Sequence, residues 1–311
     1  MKEFKRTLGR YGLLLTSWLI NKFPYSAVRG FIRFFVFFAY LITFKLKRIS
    51  RESLQIAFNG SLSDNEINKI TKRCYTTLGK GMIELIYFME HPQRIKEHVS
   101  IIGRQYLDEA FARGNGVIAV SAHFGSFPLM LLHYAQEGYK TNAIIRRVRD
   151  DVMEDHFLKQ RTRLGLKTIY AHPRVQCVNT AISCLRNNEM VFIPLDQNFG
   201  SAGGVFVDFF GQKAATATGP VVLARRTKAP IIPMFIIRQP DDTHKIIIEP
   251  PLALEEREEE KESIQVNIAR ITKLIETYIR KYPHEWGWMH RRWKTKPPPQ
   301  EASNSQEAVN F

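Results

Sequence analysis

Cysteine is scarce: there are three in 311 residues, Cys74, Cys177 and Cys184. None forms a C-x-x-C pair or keeps metal-ligand spacing. Such an odd, sparse set points to buried thiols in a reducing compartment. Acidic residues are also few, 30 Asp and Glu against 45 Lys and Arg, for a formal charge of +15. That surplus implies an anionic partner: nucleic acid, an acidic protein or anionic lipid. No apolar run reaches the ~20 residues that span a bilayer. The small-residue cleavage site of a signal peptide is missing, and so are internal repeats.

What is present begins at the N-terminus. "YGLLLTSWLI" (11–20) and "FIRFFVFFAYLITF" (31–44) are strongly apolar, and the second is flanked by Arg29 and by Lys45, Lys47 and Arg48. Residues 11–46 read as two helices seated in, or partly through, a membrane, with basic flanks on the cytoplasmic side. An unusually aromatic core helix is the alternative. The composition divides the chain into membrane-associated helices (1–47), an α/β domain (48–297) and a polar, disordered tail (298–311).

Helices are expected over 48–60 and 63–89, the second opened by a capping box of Ser63 and Glu66. From about residue 100 short apolar runs alternate with helical stretches. Strands are expected at 116–122, 141–146, 167–171, 190–196, 205–210, 230–237 and 244–249, and helices at 104–113, 126–138, 152–164, 173–187, 218–227 and 258–282. This alternation predicts an α/β fold with a mostly parallel central sheet and helices on both faces. Ligands in such sheets bind beyond the carboxyl ends of the strands.

Two strand ends carry candidate chemistry. "SAHFGSFPLM" (121–130) delivers His123 off a strand, with Gly125 permitting a sharp turn and Ser126 and Pro128 opening a helix whose free N–H groups suit an oxyanion. "PLDQNFGSAGGVFVDFFG" (194–211) sends Asp196 from a strand into a glycine-rich loop containing Gln197 and Gly204. Arg146, Arg147 and Arg149, then Arg161 and Arg163, then Arg225 and Arg226 would make an electropositive mouth if they shared one sheet edge. The tryptophans of "HEWGWMHRRWK" (284–294) suit a membrane–water interface. They also suit stacking on nucleic acid, which the apolar N-terminus argues against.

These landmarks, in this order, resemble the late acyltransferases of bacterial lipid A biosynthesis, within the lysophospholipid acyltransferase superfamily. The similarity runs from about residue 10 to residue 297. It is most specific in "DQNFGSAGGVFVDFFGQKAATATGPVVLARRTKAPIIPMF" and "HEWGWMHRRWK". "RRVRDD...RTRLG" resembles the family's arginine-bearing segment, with Asp150 in place of its asparagine. The resemblance implies transfer of a fatty acyl group from acyl carrier protein, or acyl-CoA, to a hydroxyl of an anionic glycolipid at the cytoplasmic face of the inner membrane. Membrane lipids would be partners, and neither nucleic acid nor a metal or cofactor is implied. His123 would be the general base, Gly125 and Ser126 would form the oxyanion turn, and Arg146, Arg149, Arg161, Gln197 and Gly204 would bind substrate.

The chain departs from the family at one position. Its His-x4-Glu/Asp signature ends in Pro128, so no carboxylate follows His123 within the turn. Asp196, Glu84 and Asp150 are candidates to orient the histidine instead, Asp196 first. The alternative is a catalytically silent relative that binds lipid or acyl carrier protein.

Overall fold

The computed structural model describes residues 2–20, 22–23, 25–200 and 203–298. The expected polar tail, from 299 on, lies outside them. Four helices come first: α1 (Lys2–Ile20), α2 (Tyr25–Ile42), α3 (Phe44–Ala57) and α4 (Asp64–Glu90). The Ser63 hydroxyl accepts from Glu66 N and the Glu66 carboxylate accepts from Ser63 N, so the capping box forms.

A short helix α5 (Ile95–His98) leads into β1 (Val99–Ile102) and α6 (Arg104–Ala112). The repeating part follows as β2 (Val117–Ser121), α7 (Phe127–Gln136), β3 (Thr141–Ile145), α8 (Asp151–Arg163), β4 (Leu166–Tyr170), α9 (Arg174–Arg186) and β5 (Met190–Pro194). A hairpin of β6 (Gly204–Phe209) and β7 (Gln212–Ala217) interrupts it. Helix α10 (Gly219–Thr227), β8 (Ile231–Arg238), β9 (His244–Ile248) and α11 (Glu260–Lys281) complete the domain. Helix α11 starts on Glu260 and Glu262 and ends on Arg280 and Lys281, matching its dipole, and buries Ile268, Ile271, Ile275 and Ile279 at helical spacing.

Seven strands form one sheet in the order β1-β9-β8-β2-β5-β3-β4. All neighbours are parallel except β8 and β9. The central strand β2 is buried throughout, because helices cover both faces. Its side chains alternate between two cores: Ile118 and Val120 lie in one layer, Val117 and Ala119 in the other. The order β2-β5-β3 sets the loops after these three strands side by side, and those loops carry His123, Asp196 and Arg146.

The N-terminal expectation needs correcting. Among the described residues no helix is long and apolar enough to cross a membrane. One face of α2 is core: Val28, Ile32 and Val36 are buried in the same layer as Tyr75 and Phe88 of α4. The other face leaves Phe34, Phe37, Phe38, Leu41 and Ile42 exposed, and Phe44 continues that patch at the start of α3. The Phe-rich run is therefore amphipathic in the fold, with one face packed in the core and the other exposed.

Candidate active site

Strand β2 ends in a turn built around a glycine. Gly125 has φ of 56°, and a Cβ there would lie 2.1 Å from the Ile236 carbonyl oxygen of β8. Only glycine fits, since an L-residue meets both a disfavoured dihedral and a backbone clash. The turn throws His123 out at the carboxyl end of the sheet, with its side chain 34% exposed. Phe127 packs edge-on against the imidazole at 5.2 Å and stacks on Phe192 beneath. Pro128 occupies the first turn of α7, where a missing N–H costs little.

Asp196 follows β5 and its side chain is wholly buried. His123 Nδ1 donates to Asp196 Oδ1 at 2.8 Å. The other oxygen, Oδ2, accepts from Trp286 Nε1 at 2.8 Å. With the proton on Nδ1, His123 Nε2 is an acceptor, and Gln197 Nε2 donates to it at 3.2 Å. Burial pulls the His123 pKa down, but the charge of Asp196 and its hydrogen bond outweigh this, and the net shift is upward. Burial pushes Asp196 up, but the charge and hydrogen bond of His123, the charge of His290 and the Trp286 indole hold it well below the usual carboxylate range.

The other two acids sit elsewhere. Asp150 caps α8, accepting from Met153 N at 3.1 Å, and pairs with Arg10 at 2.7 Å. Glu84 is bound by Arg238, His244 and Tyr25.

Several anticipated site residues have local jobs instead. Gly125 N donates to the Glu285 carbonyl at 2.7 Å, so this N–H is already used and Gly125 serves the turn rather than an oxyanion. Ser126 stands at the N-cap of α7 without a capping hydrogen bond, and its buried Oγ has no partner. Arg161 is buried, with Nη2 on Glu154 Oε1 at 2.9 Å; Glu154 Oε2 accepts from Val148 N. It therefore braces the 146–150 loop instead of meeting solvent. At Gly204 a Cβ would strike the Phe199 ring at 2.6 Å, so this glycine seats the aromatic of the preceding loop.

The expected single basic mouth is also reduced. Arg225 and Arg226 end α10 just before β8 begins, at the opposite edge of the sheet from His123. Arg225 pairs there with Glu256 at 2.7 Å. Arg163 ends α8 before β4, at that same far edge, and bonds Met89 O and Glu90. Arg146 and Arg149, after β3, remain exposed at the His123 edge; Arg147 beside them pairs with Asp151.

The tryptophan-rich segment corrects the interface reading. Trp286 and Trp288 are 0% exposed and Trp293 is 6% exposed. Their indole N–H groups go to Asp196, the Pro283 carbonyl and the Phe209 carbonyl. Buried Arg292 donates to the carbonyls of Gln197 and Ala215 and to Thr216 Oγ1. A sequence cannot display these contacts, because a Trp and Arg cluster looks alike whether it faces lipid or closes a core. Among the described residues no group of His, Cys, Asp and Glu is disposed to hold a metal ion.

Known proteins resemble this chain along most of its length. The lipid A biosynthesis lauroyltransferase of Escherichia coli (strain K12) is 24% identical over 284 residues, covering 90% of this chain and 89% of that one. The palmitoleoyltransferase of the same strain is 26% identical over 254 residues, covering 80% and 79%. A solved 1-acyl-sn-glycerophosphate acyltransferase from Thermotoga maritima aligns over 82% of this chain and 97% of its own at 14% identity, with a TM-score of 0.38. Residues 4–295 match the profile of the bacterial lipid A biosynthesis acyltransferases, and the chain belongs to that family of acyltransferases.

Proposed function

We propose that this acyltransferase moves a fatty acyl group from an acyl thioester, acyl carrier protein preferred, to a hydroxyl of an anionic glycolipid such as a lipid A precursor, with His123 as general base. The observation that carries the reading is the His123–Asp196 pair: Nδ1 is tied to a buried carboxylate at 2.8 Å, and Nε2 accepts from Gln197 on a side chain that is a third exposed. The acceptor hydroxyl displaces Gln197 from Nε2 and gives its proton to that nitrogen as its oxygen attacks the thioester carbonyl. The tetrahedral oxyanion collapses, the C–S bond breaks, and the imidazolium returns the proton to the departing thiolate. Asp196 keeps the tautomer and steadies the imidazolium. Ser126 and Phe127 carry backbone N–H groups at the start of α7, where Gly125 N is taken and Pro128 has none. They are the donors available to an oxyanion. Arg146 and Arg149 would meet anionic groups of the acceptor.

The exposed aromatics of α2 and α3 support seating the chain at the cytoplasmic face of the inner membrane without crossing it. Lys47, stacked over Tyr40 and Phe44 at 4.7 and 4.5 Å, has the cation and aromatic pairing of an interfacial anchor.

The test is acyl transfer from lauroyl-acyl carrier protein to a lipid A precursor, followed by mass spectrometry. His123→Ala lowers kcat by about 10³-fold or more with the thermal melt unchanged, on the scale of a lost general base. Arg146→Ala with Arg149→Ala raises the acceptor KM about tenfold and leaves kcat near wild type. Undiminished transfer by His123→Ala would overturn the mechanism.

A further inference from the structure

We infer that Trp286 is a positioning residue for the acyl-transfer site: its indole N–H fixes the Asp196 carboxylate that orients His123. The inference rests on the His123 reading and extends it to a segment some ninety positions beyond Asp196.

The geometry is specific. A carboxylate buried in a protein needs its lone pairs satisfied, or it rotates or takes up a proton. The two oxygens of Asp196 have separate donors, His123 Nδ1 on Oδ1 and Trp286 Nε1 on Oδ2, each at 2.8 Å. The second donor removes the alternative of Oδ2 turning onto the imidazole, and it leaves the carboxylate one rotamer. The Trp286 ring is immobile in turn. It is 0% exposed, meets Trp288 edge-on at 4.7 Å and packs against His290 at 4.7 Å and Phe209 at 5.7 Å. Its carbonyl accepts from Cys74 Sγ at 3.0 Å, and its backbone bridges to Phe124, next to His123.

The same segment holds the rest of the loop. His290 Nε2 donates to the Asp196 carbonyl at 3.4 Å, Arg292 Nη1 donates to the Gln197 carbonyl at 3.1 Å, and Thr295 and Asn198 exchange two hydrogen bonds. Three successive residues, Asp196 to Asn198, are therefore set from one strip of chain. Only Trp286 touches the carboxylate itself. The charged and titratable groups around Asp196 are His123, His290 and Arg292. Trp286 adds a neutral donor to them, with no charge of its own.

Trp288 supplies the control. It is equally buried in the same aromatic cluster, but its indole N–H goes to the Pro283 carbonyl. Trp286→Phe and Trp288→Phe each remove one indole from that cluster, and only the first unpairs Asp196. In the full-length protein, Trp286→Phe is expected to lower kcat by about 10- to 100-fold, the scale of one hydrogen bond to a charged group, with KM unchanged. An Asp196 carboxylate freed of the indole pulls harder on the imidazolium, so the acid limb of kcat/KM moves to higher pH. Trp288→Phe is expected to lower the thermal melt comparably, while kcat stays within about threefold and the acid limb stays in place. The ring nitrogens of His123, followed by ¹⁵N NMR, report the same link without turnover: their shifts and titration move in Trp286→Phe and not in Trp288→Phe. Equal losses of kcat in both variants with an unmoved limb, or an unmoved His123 spectrum in Trp286→Phe, would overturn the inference. Should His123→Ala keep full activity, the acid–base reading falls, and the NMR comparison still decides whether Trp286 sets the Asp196–His123 pair.

Discussion

Asp196 and Glu84 are each 1% exposed, and each accepts a hydrogen bond from a histidine, yet their surroundings differ. Asp196 has two side-chain donors, an imidazole and a neutral indole. Glu84 takes both guanidinium nitrogens of Arg238, at 2.6 and 2.5 Å, together with Tyr25 and His244 Nε2 at 3.2 Å. The histidines respond in opposite directions. Burial lowers both, but Asp196 outweighs it at His123 and raises it, whereas at His244 burial prevails over Glu84, with the charge of Arg238 acting in the same direction, and the shift stays downward. His123 is a third exposed, while His244 is 1% exposed with an unpartnered Nδ1. A carboxylate strengthens a neighbouring base when its pull exceeds the cost of burying the imidazolium, and a base reacts only if one nitrogen reaches substrate. The first cluster meets both conditions. The second, joining α2, α4, β8 and β9, is a brace.

Exchanging each carboxylate for its amide separates these roles most sharply. Asp196→Asn presents an N–H to His123 and favours the wrong tautomer, so kcat should fall by about 10⁴-fold, as when the triad aspartate of a serine protease is replaced. Its thermal melt should change little, because an amide still bridges an imidazole and an indole. Glu84→Gln leaves the buried Arg238 charge with Asp242 alone, at 3.4 Å, and should cost up to roughly 3–5 kcal/mol of stability. Its residual activity should follow the folded fraction. Urea melts and turnover on the same samples check both; a severe kcat loss in well-folded Glu84→Gln would reverse the assignment.

Titration gives a smaller, signed effect. A base is idle when protonated, so the raised His123 places the acid limb of kcat/KM above the ordinary imidazole value of about 6.5. The stability sign is the reverse. His123 contributes stability below its unfolded pKa, and that contribution is lost as pH rises through the folded value. His244, lowered by burial, should take up its proton below the ordinary imidazole value. Histidine NMR should show His123 protonating at higher pH than His244; coincident titrations would erase the distinction.

Pro128→Glu should have the least effect. With Asp196 already on Nδ1, a second carboxylate in the turn has no orienting job left, and kcat should stay within about threefold or fall slightly from crowded like charge. A large gain in kcat would mean that Asp196 does not serve His123.

Residue spacing exposed much of this arrangement, because local patterns decide it. Strands β2, β5 and β8 are rich in Ile, Val and Phe, and β3 and β4 carry shorter β-branched stretches; His123 and Asp196 sit visibly at the ends of β2 and β5. Strand β7 escaped notice because "QKAATA" has no large apolar side chain, and β1 because "VSII" is only four residues. The arginines were harder. A helix that leads directly into a parallel strand ends at the opposite sheet edge from the strand's exit, which carries Arg163 and Arg225 away from His123. Arg161 was lost to a buried pair with Glu154, and the tryptophans to long-range contacts that no spacing reveals.

Those contacts also order events in time. Residues 283–295 leave the ribosome after every strand of the sheet, yet they supply the indole on Asp196, the carbonyl that takes Gly125 N and the guanidinium under Gln197. Cys74 and Ser53 wait on the same segment, across sequence separations of 212 and 237. Closing such spans is the slow step of folding. A chain whose last segment has not yet docked would therefore hold His123 and Asp196 without their final alignment. On that order the alignment of His123 and Asp196 is completed only when the tryptophan segment docks.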